Sequence, residues 1–142
     1  MKSYEFSMKR VLELRVNKEK DIMERFAALQ GELQHRRLII ANLMRDYKAA
    51  KEKSLSCRNI NELRQQNLYI QSIEEKISKH NEIREKIKEK LESVRLELIE
   101  AQKDRKIMEK VMEKDFADYI DTMKAIEQKE LDEMAVLKFI NK

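Results

Sequence analysis

The chain has 142 residues, of which 41% are charged and 6% aromatic, and its formal net charge at pH 7 is +4. Because positive and negative residues are interspersed, this charge does not by itself indicate a nucleic-acid-binding protein. The single glycine excludes a glycine-rich phosphate loop, and the single cysteine, Cys57, excludes an internal disulfide and fits a reducing cytosol. With no proline to end a helix, we expect a soluble, cytoplasmic, all-helical protein.

A heptad-spaced seam predicts the first helix over about residues 5–53. Its positions are mostly apolar and run from residue 12 to residue 50: Leu12, Arg15, Glu19, Ile22, Phe26, Leu29, Leu33, Arg36, Ile40, Leu43, Tyr47 and Ala50. A period of about 3.5 residues, held this long, keeps one stripe facing a partner helix, which is the condition for a coiled coil. The polar seam members would cost stability if fully buried, so we expect them to pair at its edge and fix the register.

A polar segment, residues 54–59, predicts the turn between two helices. Its serines and asparagine compete for backbone hydrogen bonds and favour helix ends over helix interiors. Asn59 and Glu62 have the spacing of a capping box, so we predict that the second helix starts near Ile60 and runs to about residue 140. Because the turn is short, the two helices are expected to be antiparallel neighbours.

The second seam is longer than the first. It runs through Leu63, Ile70, Ile73, Ile77, His80, Arg84, Ile87, Leu91, Val94, Leu98, Ala101, Arg105, Met108, Met112, Asp115, Tyr119, Thr122 and Ile126. With the turn centred near residue 57, the start of the first helix is expected to lie opposite residues 101–107 of the second helix. This predicts an overhang of some thirty residues, roughly 45 Å long. Because the overhang keeps an apolar stripe, we expect a second copy or another protein to cover it.

Charge is segregated toward the two ends of the predicted hairpin. Residues 36–64 carry eight basic and three acidic side chains, whereas residues 115–133 carry seven acidic and two basic ones. A basic turn end and an acidic tail suit two different docking partners, while charged faces that merely contact solvent are the alternative explanation.

Residues that could support catalysis or bind a metal are sparse. His35 and His80 lack partners at metal-ligand spacing, and no serine has a neighbouring base that would activate it. The longest apolar stretch, residues 38–44, is far shorter than a membrane span. We therefore expect no enzyme activity, no metal and no cofactor. Tyr47 and Tyr69 lie close to the turn, where aromatic side chains on a thin two-helix structure are candidates for partner contact.

Three segments together resemble a known family. FSMKRVLELR at residues 6–15, RKIMEK at 105–110 and EQKELDEMA at 127–135, combined with a two-helix coiled coil of this length, resemble the FliJ family of flagellar type III export proteins. The heptads alone carry little weight, since all coiled coils share them, and the two ends of the chain carry the resemblance.

The resemblance implies a non-catalytic component of the flagellar export apparatus, cytoplasmic and peripheral to the inner face of the cell membrane at the flagellar base. Its coiled coil would resemble the central stalk of rotary ATPases, bind a hexameric export ATPase, and promote ring assembly and hydrolysis. It would also contact the cytoplasmic domain of the large export-gate membrane protein and escort empty export chaperones. No nucleic acid and no direct membrane insertion are implied.

The resemblance also implies two sets of binding residues. The export-gate set, near the turn, is Arg36, Ile40, Leu43, Tyr47, Tyr69, Ile73, Lys76 and His80. Arg36 and Lys76 depart from the smaller or uncharged residues of the family at those positions. The ATPase set is Leu12, Ile22, Phe26, Met108, Met112, Phe116, Tyr119, Met123 and Ile126.

Three alternative functions stay open from the sequence. A structural coiled coil that self-associates through the overhang explains the same heptads. A nucleic-acid-binding arm would use the basic turn end, although that region lacks aromatic residues interleaved for base stacking. The related stalk protein of virulence-type injectisomes would share both architecture and mechanism.

Overall fold

The computed structural model describes residues 3–141, and their regular structure consists of two α-helices with no strand. Helix α1 spans Lys9–Ser54 and has 46 residues, and helix α2 spans Ile60–Ile140 and has 81 residues. The predicted all-α hairpin of two long helices is confirmed. Helix α1 starts four residues later than the sequence pattern predicts, and residues 3–8 form a non-helical arm ahead of it that ends in a turn. Within residues 3–141, no helical segment is long and apolar enough to span a bilayer.

The turn is built by side chains that satisfy the helix ends. At the end of α1, the Ser56 hydroxyl and backbone N–H both donate to the Lys53 carbonyl, at 2.9 and 3.2 Å. At the start of α2, the Asn59 side-chain oxygen accepts the Glu62 backbone N–H at 2.8 Å, as the capping-box spacing predicts. The Glu62 carboxylate accepts the N–H of Arg58 at 3.3 Å, one residue earlier than in the usual box.

The chain forms two compact units. We call Asp21–Leu98 the turn unit, because it contains the turn. The remaining residues, up to Lys20 and from Ile99 onward, form the terminal unit. Because each unit contains part of both helices, each has its own apolar seam.

In the turn unit the helices pack antiparallel around a narrow core. Ala50, Ile70 and Ile73 form a buried cluster, against which Leu43, Tyr47 and Ile77 pack. Further from the turn, the buried side chains are Ile22, Leu33, Ile87 and Val94. Every predicted seam position of α1 is buried or half-buried, whereas Leu63 of α2 stays 41% exposed.

Side-chain contacts between the helices of the turn unit differ from the pairing that is obtained by counting residues equally from the turn. With the turn centred near residue 57, residue 36 is predicted opposite residue 78, but Arg36 contacts His80. Each Cα–Cβ bond tilts toward the N-terminus of its helix, so side chains of α1 reach away from the turn while those of α2 reach toward it. Arg36 therefore meets a residue two positions further along α2 than the backbone count indicates.

In the terminal unit, α2 is covered further than predicted. Ala101 and Met108 are buried, and Phe6 of the N-terminal arm is only 9% exposed. Because the arm continues the cover past the start of α1, the prediction that α2 lacks a partner from about residues 101–107 onward is wrong. The exposed part of α2 begins after Met123, and every described residue from 124 to 141 is exposed. It carries the large apolar side chains Ile126, Leu131, Met134, Val136, Leu137, Phe139 and Ile140.

Candidate functional site

All members of the predicted export-gate set lie in the turn unit, on facing stretches of the two helices. Tyr69, 52% exposed, and Lys76 are open to solvent, and Ile73 is only 3% exposed. The half-buried members are Arg36, Ile40, Leu43, Tyr47 and His80. A partner that approaches this surface meets Tyr69 and Lys76 directly, whereas Ile73 contributes by holding the two helices together.

The two tyrosines of this surface differ in their packing. Tyr47 packs against the buried cluster of Ala50, Ile70 and Ile73, so only part of its ring is accessible. The Lys51 ammonium lies 5.5 Å from the centroid of that ring, within the range of a cation–π contact. Tyr47 is half-buried because it occupies a seam position, whereas Tyr69 lies off the seam and is exposed.

Arg36 and His80 form a polar pair across the helices of the turn unit. The Arg36 Nη1 atom lies 2.9 Å from His80 Nδ1. Because arginine only donates, His80 Nδ1 must accept, which requires a neutral ring with its proton on Nε2. Burial lowers the pKa of His80, and the positive charges of Arg36, Lys79 and His35 lower it further. The sequence pattern placed His80 on the seam but did not identify Arg36 as its partner.

The predicted ATPase set is divided between the two units. Ile22, 4% exposed, and the half-buried Phe26 belong to the turn unit. The other members lie in the terminal unit, where Met108 is buried, Leu12, Met112, Tyr119 and Met123 are half-buried, and Phe116 and Ile126 are exposed by 46% and 47%. Accessible apolar surface of this set is therefore concentrated between Phe116 and Ile126.

The N-terminal arm brings an additional aromatic residue, Tyr4, to that stretch of α2. Its ring centroid lies 5.0 Å from that of Phe116, at an interplanar angle of 77°, and 5.2 Å from that of Tyr119. The centroids of Phe116 and Tyr119 are 6.3 Å apart. The Tyr4 hydroxyl donates to the Asp115 carboxylate at 3.0 Å. We call Tyr4, Asp115, Phe116 and Tyr119 the aromatic patch.

The sequence pattern missed Tyr4 because this residue precedes both the first helix and the first seam. One signal was available. The chain has only four tyrosines and four phenylalanines, and two of these eight aromatic residues, Tyr4 and Phe6, lie within the short arm. Aromatic residues bring a large apolar surface that favours burial, so their concentration in a non-helical arm indicates that the arm packs against something.

A polar network interrupts the seam of the terminal unit. The Arg105 guanidinium donates through Nε to the Glu19 carboxylate and through Nη1 to Glu109 at 2.7 Å. Arg15 donates to the backbone carbonyl of Asp104 at 2.9 Å. These contacts agree with the expectation that polar seam residues pair rather than stay isolated. Hydrogen bonds to Glu109 and Glu19 raise the pKa of Arg105, so its guanidinium is charged at neutral pH.

The polar side chains of residues 3–141 contain no group of three or more histidines, cysteines, aspartates or glutamates arranged to hold a metal ion. Cys57, in the turn, is half-buried, and its thiol lies 3.7 Å from the Lys53 carbonyl. The described surfaces present aromatic rings, aliphatic side chains and charges that can contact a partner.

Comparison with known proteins identifies the family of this chain. A family model described as "Flagellar FliJ protein" matches residues 4–142. The match covers both helices, the turn between them and the arm residues from Tyr4 onward, so it extends over both compact units. Neither a curated protein nor a solved structure matches the chain.

Proposed function

Because the chain belongs to the FliJ family and is thus a component of the flagellar export machinery, we propose that it binds the hexameric export ATPase and links it to the export gate. In this role it is a stalk-like coiled coil that promotes assembly and activity of the ATPase ring without performing catalysis. The observation that carries the proposal is that the family match extends over nearly the whole chain, from the arm to the C-terminal end of α2.

The ATPase-facing surface in this proposal lies in the terminal unit. The exposed stretch of α2 after Met123 carries large apolar side chains that no described part of the chain covers, among them Leu131, Met134 and Leu137. Burial of such surface against a partner favours association, because it removes apolar area from water. Phe116 and Ile126 extend the accessible apolar surface toward the arm.

The gate-facing surface in this proposal lies in the turn unit. Tyr69 and Lys76 supply the accessible side chains, and the half-buried Arg36 and His80 present a polar pair beside them. Aromatic residues and arginine are enriched among the side chains that dominate binding energy at protein interfaces. We propose that this surface binds the cytoplasmic domain of the large export-gate membrane protein. The complex would lie at the inner face of the cell membrane. Escort of empty export chaperones belongs to the same proposal.

Titration of the cognate export ATPase with this protein tests the ATPase part. ATP turnover is measured at a fixed ATPase concentration, low enough that the ring is only partly assembled. The full chain is expected to raise turnover. A chain that ends at Met123 loses only its uncovered tail, since the described residues beyond that point are all exposed. Such a chain is expected to stimulate less while keeping its helical circular dichroism per residue.

A chain that ends at Asp104 is a poorer comparison, because it also removes Met112, Asp115, Phe116 and Tyr119, which contact Tyr4. Equal turnover with and without the full chain would contradict the proposed function. Equal stimulation by the full chain and by the chain that ends at Met123 would remove the tail from the ATPase-facing surface.

Self-association is the second candidate function, favoured by the same uncovered apolar side chains of α2. A dimer formed through the tail would bury Leu131, Met134 and Leu137 without any other partner. The tail from residue 124 to residue 141 carries four acidic and three basic side chains, so charge repulsion opposes pairing only weakly. Measurement of mass against protein concentration in 50 and 500 mM salt distinguishes a monomer from such a dimer.

A further inference from the structure

The end of the turn unit exposes two large aliphatic side chains beside the turn. Leu55, in the turn, is 88% exposed, and Ile60, the first residue of α2, is 75% exposed. Within residues 3–141, no other large apolar side chain is as exposed as Leu55. The two residues are five positions apart in the chain, so they lie within about 18 Å of each other. Neither belongs to a seam, so packing between the helices does not account for them.

Basic side chains are interspersed with these two residues. We call residues 48–64 the tip, which carries five basic and two acidic side chains. The basic side chains are all exposed and are those of Lys48, Lys51, Lys53, Arg58 and Arg64. None of them forms an ion pair within residues 3–141. The carboxylate of Glu62, one of the two acidic residues, accepts the backbone N–H of Arg58 at the start of α2. The tip therefore combines an excess of positive charge with exposed aliphatic side chains.

We propose that the tip binds an anionic lipid surface, with Leu55 and Ile60 at the depth of the headgroups and the basic side chains against the lipid phosphates. Interfacial contacts combine apolar side chains with lysines and arginines, and anionic lipids attract each basic side chain that comes near the surface. The contact is confined to the interface, so it requires no helix that crosses the bilayer. This inference goes beyond the function proposed above and does not rest on it, because the partner is the lipid itself.

The chemistry of the tip favours lipid over a protein or a nucleic acid. Residues 48–64 contain no aromatic side chain, whereas aromatic residues are enriched and leucine is under-represented among the side chains that dominate binding at protein interfaces. The tip also has only 17 residues. A partner in a standard protein interface contributes about 20 to 30 residues. A nucleic acid would use the basic side chains but leave Leu55 and Ile60 in water, and stacking of bases requires aromatic rings.

The exposed C-terminal tail of α2 has apolar side chains but lacks this charge. Residues 124–141 carry four acidic and three basic side chains, so an anionic surface does not attract them. Leu137 is 58% exposed and Phe139 is 83% exposed. Attraction by apolar surface alone would therefore favour the tail, whereas attraction by apolar surface together with positive charge favours the tip. The two ends of α2 provide an internal comparison.

Binding of the full chain to lipid vesicles tests the proposal in the absence of any export protein. Vesicles of phosphatidylcholine with one third phosphatidylglycerol are compared with pure phosphatidylcholine, and the bound fraction is measured by sedimentation. The full chain is expected to bind the anionic vesicles at least about tenfold more tightly. The double variant Leu55→Ser with Ile60→Ser is expected to bind them about tenfold more weakly, because it has less apolar surface to remove from water. Both side chains are exposed, so the melting temperature should not change.

A charge variant with a matched control locates the basic contact. Lys53→Gln with Arg58→Gln is expected to weaken binding to the anionic vesicles at least about tenfold, since each basic side chain near such a surface contributes about fivefold to the affinity. Lys86→Gln with Lys90→Gln changes the net charge equally, at exposed positions of α2. Lys86 lies about 39 Å along the helix from Ile60, far beyond the Debye length of about 8 Å, so this control should bind as the unmodified chain does. Equal losses in the two variants would overturn the proposal.

A fluorescent reporter shows which part of the chain meets the lipid. The chain has no tryptophan, so Leu55→Trp introduces a single indole at the tip. Its emission is expected to shift to shorter wavelength on the anionic vesicles, and lipids brominated in their acyl chains should quench it. Leu96→Trp, in the turn unit, and Phe139→Trp, in the tail, should show neither effect. A shift at residue 139 without one at residue 55 would overturn the proposal. Failure of the full chain to bind anionic vesicles would also overturn it and would leave an acidic protein surface as the partner of the tip.

Discussion

Arg36 and His80 lie on opposite helices of the turn unit, and the guanidinium of one donates to the ring nitrogen of the other at 2.9 Å. This contact requires a neutral imidazole, because a doubly protonated ring has no acceptor left. It therefore couples the packing of the two helices to the protonation state of one residue. Its position within the candidate gate-facing surface makes the same protonation relevant to binding.

We predict that the stability of the protein falls as pH decreases below the ordinary histidine pKa of 6.5. The folded-state pKa of His80 is lowered by burial and by nearby positive charge, so the unfolded state binds more protons in the interval between the two pKa values. The contribution of His80 to the free energy of unfolding therefore rises with pH across that interval. It is fully present above pH 6.5 and is lost as the pH falls through the lowered pKa of the folded state. Thermal unfolding followed by circular dichroism at pH 5 and pH 8 should show the difference.

The variant His80→Gln supplies the control for this pH dependence, because glutamine accepts a hydrogen bond without titrating. It should show a smaller change in melting temperature between pH 5 and pH 8. An NMR titration should also find a pKa for His80 below the ordinary histidine value of 6.5. An unchanged pH dependence in His80→Gln would mean that carboxylates, rather than this pair, cause the effect.

Seam positions of the turn unit should differ in their contribution to stability according to burial. Ile87 is 5% exposed, so Ile87→Ala should lower the free energy of unfolding by about 2 kcal/mol or more. Leu91 and Leu98 are half-buried, so their replacement by alanine should lower the free energy of unfolding by less. Leu96, 56% exposed, serves as the control, and Leu96→Ala should change stability by less than about 0.5 kcal/mol. Urea unfolding measures all four, and equal losses at Ile87 and Leu96 would show that the register is wrong.

Amide hydrogen exchange should distinguish the covered and uncovered parts of α2. Amides at residues 87–98 should exchange most slowly, because Ile87 and Val94 are buried there against α1. Amides at residues 124–140 should exchange fastest, since their side chains are all exposed and only helical hydrogen bonds protect them. Tyr4→Ala combined with Phe6→Ala should accelerate exchange at residues 112–119 without affecting residues 87–98. No acceleration there would contradict packing of the arm on α2.

Substitution of Tyr69 should affect binding alone, whereas substitution of Tyr47 should also affect stability. Tyr69 is 52% exposed, so Tyr69→Ala should weaken binding to the cytoplasmic domain of the export gate while leaving the melting temperature unchanged. Tyr47 packs on the buried cluster near the turn, so Tyr47→Ala should lower stability by about 2 kcal/mol in addition to any effect on binding. Calorimetric binding and thermal unfolding on both variants make the test. Unchanged affinity in Tyr69→Ala would remove this residue from the gate-facing surface.

The periodicity of the sequence was sufficient for the α1 seam and for most of the α2 seam, of which Leu63, Asp115, Thr122 and Ile126 are exposed. Each α1 seam residue from Leu12 to Ala50 is buried or half-buried, and the start of α2 at Ile60 follows from the Asn59 cap. The predicted binding residues agree less well with the structure. Ile73, assigned to the gate set by resemblance, is buried, since a seam residue that faces the other helix has no surface left for a partner.

The sequence by itself determined the helical class, the two helices, the turn between them and the faces that they bury. These depend on contacts between near neighbours in the chain and on a repeat that is visible in the order of residues. Only the tertiary structure decided that Arg36 meets His80, and that Tyr4 reaches Asp115, 111 positions away in the sequence. The first depends on the direction in which side chains leave a helix, and the second on where an arm without periodicity finds apolar surface to cover. Neither can be read from a repeat, because each depends on distances in space between distant segments.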